Sequence, residues 1–231
     1  MTEASAQEPM AHVSGGPSLV LLASVSAALF VLSLPAGFLL ADGALPSPFA
    51  STADIVDYYR GADDAVRVTA FLQLGAAMPF AAYAATVWTR LRALGVRAAG
   101  PTIGLAGGVL SAAFLVLSAL ARWPLAEPPA EPGVVAALHD LSFAAGGPGS
   151  VVPLALLLAG IAVPAGVGRL LGRPVVTVGL VLAAVAALSS LTLVFEAAAW
   201  LVPVARFGGL IWLIVVGAQL PAAPPDAEID P

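Results

Sequence analysis

The chain contains no lysine and no cysteine, and charged residues of every kind make up only 10% of its 231 positions. Each absence excludes some chemistry. Without lysine there is no Schiff-base amine, no pyridoxal lysine and no phosphate-loop lysine. Without cysteine there is no disulfide framework, no thiolate nucleophile and no iron–sulfur or cysteine-based zinc site. His12 and His139 are the only histidines, and His12 sits in a polar tail, so one chain cannot offer a haem two intramembrane histidines. A net charge of −5, carried mainly by tails and connections, argues against nucleic acid as a partner. No nucleotide motif, metal cluster or catalytic constellation is found. The sequence therefore predicts no enzyme, no cofactor and no metal.

What is present is apolar surface. Hydrophobic residues account for 60% of the chain and the mean hydropathy is +0.98, whereas a soluble domain carries roughly 25% charged residues. Apolar runs of about 20 residues, enough to cross a bilayer, occur near 17–41, 68–89, 101–123, 141–164, 175–196 and 204–220. The predicted fold is all-α, a polytopic transmembrane bundle of six spans. A disordered polar tail (1–16) precedes it and an acidic, proline-rich tail (221–231) follows. Residues 1–16 hold Glu3 and Glu8 but no arginine, so the first span lacks the basic flank of a signal peptide and reads as a retained helix.

The nine basic residues are all arginine. Arg90, Arg92 and Arg97 fall between spans two and three, and Arg169 and Arg173 between spans four and five, with no acid in either connection. Arg60, Arg67, Arg122 and Arg206 are assigned to the other side. Basic loops face the cytoplasm, so both termini are expected inside a multi-pass protein of the cytoplasmic membrane. The bilayer is the expected partner, with a membrane-protein partner or a second copy left open.

Between spans one and two, Ser51-Thr-Ala-Asp54-Ile55-Val-Asp57-Tyr58-Tyr59 reads as an N-capped short helix with Ile55, Tyr58 and Tyr59 on one side. It is either an interfacial anchor or a lid. Asp54, Asp57, Asp63 and Asp64 lack calcium-loop spacing and read as a solvated face. Span four carries Gly146-Gly147-Pro148-Gly149, which kinks or breaks the helix; a break at membrane depth points to a transporter site. Its first half either crosses the membrane or projects outward, which decides whether the adjacent His139 and Asp140 are intramembrane groups or interfacial ones. Ser150 with His139 would suggest a hydrolase, but no nucleophile elbow supports it. Glu196 either pairs with Arg206 across the last turn or serves as a proton-carrying carboxylate. By depth alone, Gln73, His139, Asp140, Glu196 and Arg206 form one candidate polar pocket. Elsewhere, Gly104 and Gly108 suggest close helix packing, and Arg92-Ala-Leu-Gly-Val-Arg97 echoes Arg169-Leu-Leu-Gly-Arg173.

Taken in order, the Asp54-Ile-Val-Asp57-Tyr-Tyr segment, the Arg90–Arg97 loop, Gly-Gly-Pro-Gly, Arg169-Leu-Leu-Gly-Arg173-Pro174 and Pro203-Val-Ala-Arg206-Phe-Gly-Gly resemble a group of small six-helix actinobacterial membrane proteins of unknown function. The alanine-, glycine- and arginine-rich composition is that of a high-GC genome. The resemblance implies the fold and lends no catalytic residue. The function expected is that of an accessory subunit or a binder of lipid or a small apolar molecule, with a proton-coupled secondary transporter using His139, Asp140 and Glu196 as the alternative.

Overall fold

The structure, a computed structural model, describes residues 16–41, 43–127 and 131–222. Nearly all of the two expected tails therefore falls outside the described residues. Eight α-helices are present: α1 (Leu19–Leu40), α2 (Thr52–Tyr59), α3 (Asp63–Ala93), α4 (Gly100–Arg122), α5 (Pro132–Ala144), α6 (Ser150–Val167), α7 (Arg173–Leu188) and α8 (Leu201–Gln219). No strand occurs among the described residues. Six helical stretches among the described residues are long and apolar enough to cross a membrane. Their outward faces leave Leu39 77%, Phe71 73% and Val167 83% exposed, a surface suited to hydrocarbon and not to water. The chain is a multi-pass integral membrane protein.

Start signals in the sequence account for where the helices begin. Ser18 caps α1 by accepting from the Leu21 amide at 3.3 Å. Ser51 caps α2 by accepting from the Asp54 amide at 3.2 Å and donating to the Asp54 carboxylate at 2.7 Å. Proline opens α4, α5 and α7 within their first turns, where its missing N–H has no intrahelical partner to lose.

The spanning helices follow one another round a closed ring: α1 against α3, α3 against α4, α4 against α6, α6 against α7, α7 against α8, and α8 back against α1. Backbones approach most closely at α4 and α6. A Cβ added to Gly160 would lie 2.5 Å from the Gly104 nitrogen and 2.6 Å from the Gly100 carbonyl oxygen, so the glycines of the Gly104–Gly108 pattern do set a helix contact. Side chains also bond to backbone across the ring. Tyr83 donates to the Leu213 carbonyl at 2.8 Å, Ser26 to Ala76 at 2.9 Å and Trp212 to Val175 at 2.8 Å. Each gives a polar group a partner where no water is at hand.

Two expected spans prove longer than the membrane needs. Span two runs Asp63–Ala93 against an expected 68–89, and span four covers Pro132–Val167 against 141–164. The surplus builds a cap. The first turns of α3, the end of α4, all of α5 and the short α2 share a second apolar core of Ile55, Tyr59, Val66, Leu125 and Val135, apart from the main one. Eighteen residues of α6 rise about 27 Å, nearly a hydrocarbon thickness by themselves. So α5 is the projecting half of span four.

The opposite, uncapped end carries two related turns. After α3, Gly95 takes φ 84 and the Val96 amide reaches back to the Leu91 carbonyl at 3.1 Å. After α6, Arg169 takes φ 53 and the Leu170 amide reaches the Ala165 carbonyl at 2.8 Å. Both are helix stops of the Schellman kind. The turns correspond, but not in the register of the sequence echo, which pairs Gly95 with Gly172: Gly172 has φ −63, and Gly95 is matched by Arg169, whose left-handed backbone costs about 1 kcal/mol more than glycine's.

Two outcomes check this architecture. Gly61 and Gly172 lie at opposite ends, and the chain has no cysteine of its own. Gly61→Cys and Gly172→Cys are expected to react with an impermeant thiol reagent from opposite sides of the membrane, and same-side labelling would refute the six-span ring. Gly160→Ala is expected to lower stability by about 2 kcal/mol through overpacking against backbone, measured by thermal unfolding in detergent. Gly133→Ala, with open space around its Cβ, is the neutral control.

Candidate functional site

Between α5 and α6 the chain passes through one π-helical turn, Ala145–Gly149, in which Gly147 leaves helical geometry at φ −82 and ψ −110. Pro148 has no N–H to give, and the Ser150 amide bonds the Gly147 carbonyl. The Gly146 carbonyl accepts from side chains. Ser150 Oγ donates to it at 2.8 Å, and Arg206 from α8 donates to it as well. The same Arg206 Nη2 approaches the Gly147 carbonyl at 3.3 Å and donates to Ser150 Oγ at 2.6 Å. The guanidinium carbon lies 4.7 Å from the centroid of the Phe30 ring on α1, a cation–π contact. Gly146, Gly147, Pro148 and Gly149 are thus a break with a specific occupant.

Arg206 precedes Gln219, the end of α8, by thirteen residues. At 1.5 Å each that puts its Cα about 20 Å along α8, and the side chain reaches on to Gly146 and Gly147 just before α6, which itself rises about 27 Å, so the guanidinium sits towards the capped edge of a hydrocarbon layer about 30 Å thick. All of its hydrogen bonds come from Nη2, and no carboxylate among the described residues pairs with it. Nε and Nη1 donate to no described residue, yet neither belongs with the sealed-in polar atoms that lack a partner. Beneath the break lies a cavity of about 30 Å³ bounded by α1, α3, α4, α6 and α8, with Ser26, Ser111, Ser150 and Arg206 as its polar groups. It has room for about two waters. Ser111 is spoken for, donating to the Ser150 carbonyl at 2.7 Å.

The five residues expected in one pocket do not meet: no hydrogen bond or ion pair joins any two of them. Glu196 is exposed in a short turn before α8. The expected Glu196–Arg206 pair is absent because Arg206 lies more than a turn deeper, where the broken helix offers carbonyls. Asp140 is exposed on α5. Gln73 is buried on α3 with its Oε1 unpartnered. His139 is 3% exposed within the cap, its Nδ1 2.9 Å from Tyr59 Oη and its Nε2 without a partner. Ser150 faces Arg206 and the helix break, not His139, which removes the imagined hydrolase dyad. Arg122, assigned to the outer end of span three, bonds Ser142 Oγ through Nε at 3.2 Å.

Comparison with protein-family models, with curated proteins and with solved structures returns no match.

The serines and Phe30 had no sequence signal, since serine is common in apolar helices. Arg206 did have one, as an arginine near the start of the sixth apolar run. The Tyr59–His139 contact joins residues 80 positions apart, a separation no local pattern reveals.

Three outcomes follow from this geometry. Arg206→Met strips partners from two carbonyls and is expected to cost about 2 kcal/mol. Glu196→Gln should leave stability within about 0.5 kcal/mol; thermal unfolding compares the two. Burial raises the Tyr59 phenol from 10.0 to about 12. Its folded value lies above its unfolded one, so the stability it contributes is intact below pH 10 and lost as pH rises towards 12. Melting temperatures across that window should fall less steeply for Tyr59→Phe than for the parent.

Proposed function

We propose that this protein binds an amphipathic anion from within the bilayer, a long-chain carboxylate, with its head at Arg206. The observation that carries the reading is a guanidinium at the capped edge of the hydrocarbon layer with no carboxylate partner among the described residues and two nitrogens free beside a cavity. An arginine at the centre of a bilayer costs about 2.5 kcal/mol or more, and one towards the edge costs less. Three hydrogen bonds and one aromatic face offset part of that cost and leave the charge itself unmatched. A carboxylate occupies about the space of two waters, which is the size of the cavity, and it accepts two N–H groups side by side as a guanidinium presents them. The apolar walls, Phe30, Phe80, Leu115, Val151, Leu154 and Leu210, suit the first carbons of the chain.

This reading makes the protein a binder and not an enzyme. Nothing in the cavity acts as a nucleophile's base, since Ser150 Oγ has only Arg206 and backbone carbonyls about it. The reading does not draw on the proton-coupled transporter alternative, since no hydrogen bond joins His139, Asp140 and Glu196. A role as accessory subunit stays compatible with binding. We place the protein in the cytoplasmic membrane with both termini inside. Of the nine arginines, Arg90, Arg92, Arg97, Arg169 and Arg173 lie at the uncapped end, whose two connections contain no acid. Arg206, counted at the far side from sequence, sits in no loop at all, which strengthens the asymmetry. Labelling of Gly61→Cys from outside intact cells is the result this orientation requires.

Thermal unfolding in detergent tests the binding. Oleate is expected to raise the melting temperature of the full chain, while methyl oleate, which lacks the charge, leaves it unchanged. Ser150→Ala should retain the oleate shift and Arg206→Met should lose it. Equal stabilisation by acid and ester, or an oleate shift that survives Arg206→Met, would overturn the assignment.

A further inference from the structure

At the uncapped end, the turn after α3 and the last turn of α6 enclose a slot of about 350 Å³ that the Arg206 site does not involve. Its apolar walls include Leu94, Val96, Val163, Val167 and Leu170, and Arg97 is its charged group. Gly168 and Leu170 also line it, and between them in the chain stands Arg169. The slot lies where α3 and α6 end, at the level where hydrocarbon gives way to headgroups.

Arg169 carries a second observation. It occupies the left-handed stop position that Gly95 occupies in the matching turn, and glycine would sit there without strain. Every other described residue with positive φ is glycine. Both stops border the slot, Gly95 as part of its lining and Arg169 between the lining Gly168 and Leu170, and only the second carries a cation. Strain of this sort at a cavity rim is where a positioning role is found.

We propose that the slot holds an anionic phospholipid of the surrounding bilayer, with its phosphodiester at Arg97 and Arg169 and the start of an acyl chain against the apolar walls. Charge complementarity selects the occupant. Arg90, Arg92, Arg97, Arg169 and Arg173 share this end, and neither connection holds an acid. A zwitterionic lipid would bring its own cation into that field. A water-soluble phosphate would leave the apolar walls uncovered.

Native mass spectrometry of the purified full chain, exchanged into micelles containing phosphatidylglycerol or phosphatidylcholine, tests this. One retained phosphatidylglycerol is expected, with phosphatidylcholine washed away. Arg97→Gln and Arg169→Gln should each reduce retention about fivefold, as for one arginine near a charged lipid surface. The deciding variant is Arg169→Gly, which relieves the backbone and should raise the melting temperature while cutting retention by the same factor. If it raises the melting temperature and retention is unchanged, Arg169 is an ordinary loop arginine and the proposal fails. Equal retention of both lipids, or displacement of phosphatidylglycerol by inorganic phosphate, would also overturn it. Arg206→Met should retain phosphatidylglycerol, so this result and the oleate result are independent.

Discussion

A polar group inside hydrocarbon must find its partner within the protein, and in this molecule that requirement is concentrated at one point, the bond between Arg206 and the carbonyls freed by the helix break. Pro148 and the two glycines before it interrupt the backbone ladder at the capped end of the span. Arg206 and Ser150 repair it from outside the helix. The repair sets the register of α8 against α6, places Phe30 of α1 over the guanidinium, and keeps α5 free to turn away from the membrane. Break and arginine are complementary: either one alone would be costly at that depth, and together they form a small polar island in an apolar ring.

The helix ring shows how little specific chemistry the rest of the fold needs. Alanine and glycine let backbones approach at α4 and α6, and a few serine, tyrosine and tryptophan side chains bond to carbonyls across helices. Large apolar side chains are left to face lipid. The cap is built on another principle, an ordinary apolar core of Ile55, Tyr59, Leu125 and Val135 that could serve any small soluble domain, with the buried Tyr59–His139 contact at its edge.

Much of this architecture was legible in the sequence. Six apolar runs, the capping Ser51, the interrupting Gly-Gly-Pro-Gly and the glycine pattern on α4 are local features, and local features are what periodicity and turn chemistry report. The site was less legible because its members are scattered: Phe30, Ser111, Ser150 and Arg206 come from four helices. Depth along a span placed Glu196 near Arg206, but depth does not say which way a side chain turns, and Arg206 turned toward carbonyls that a regular helix would have kept occupied. His139 and Asp140 shared the ambiguity of α5, resolved once α6 proved long enough to span by itself. A left-handed arginine leaves no compositional mark, so Arg169 became visible only as a backbone angle.

The order of helices round the ring has a consequence for biogenesis. Each span packs beside its neighbour in the chain, so most contacts can form hairpin by hairpin as the protein is made. The closing contact is different, because α8 must reach α1, and its arginine must reach carbonyls made sixty residues earlier. Until the last span enters the bilayer, the break in span four has only Ser150 to cover it. A nascent chain halted before residue 206 therefore exposes an unfinished polar gap at the edge of the membrane, a defect that quality-control proteases of the bilayer are suited to find.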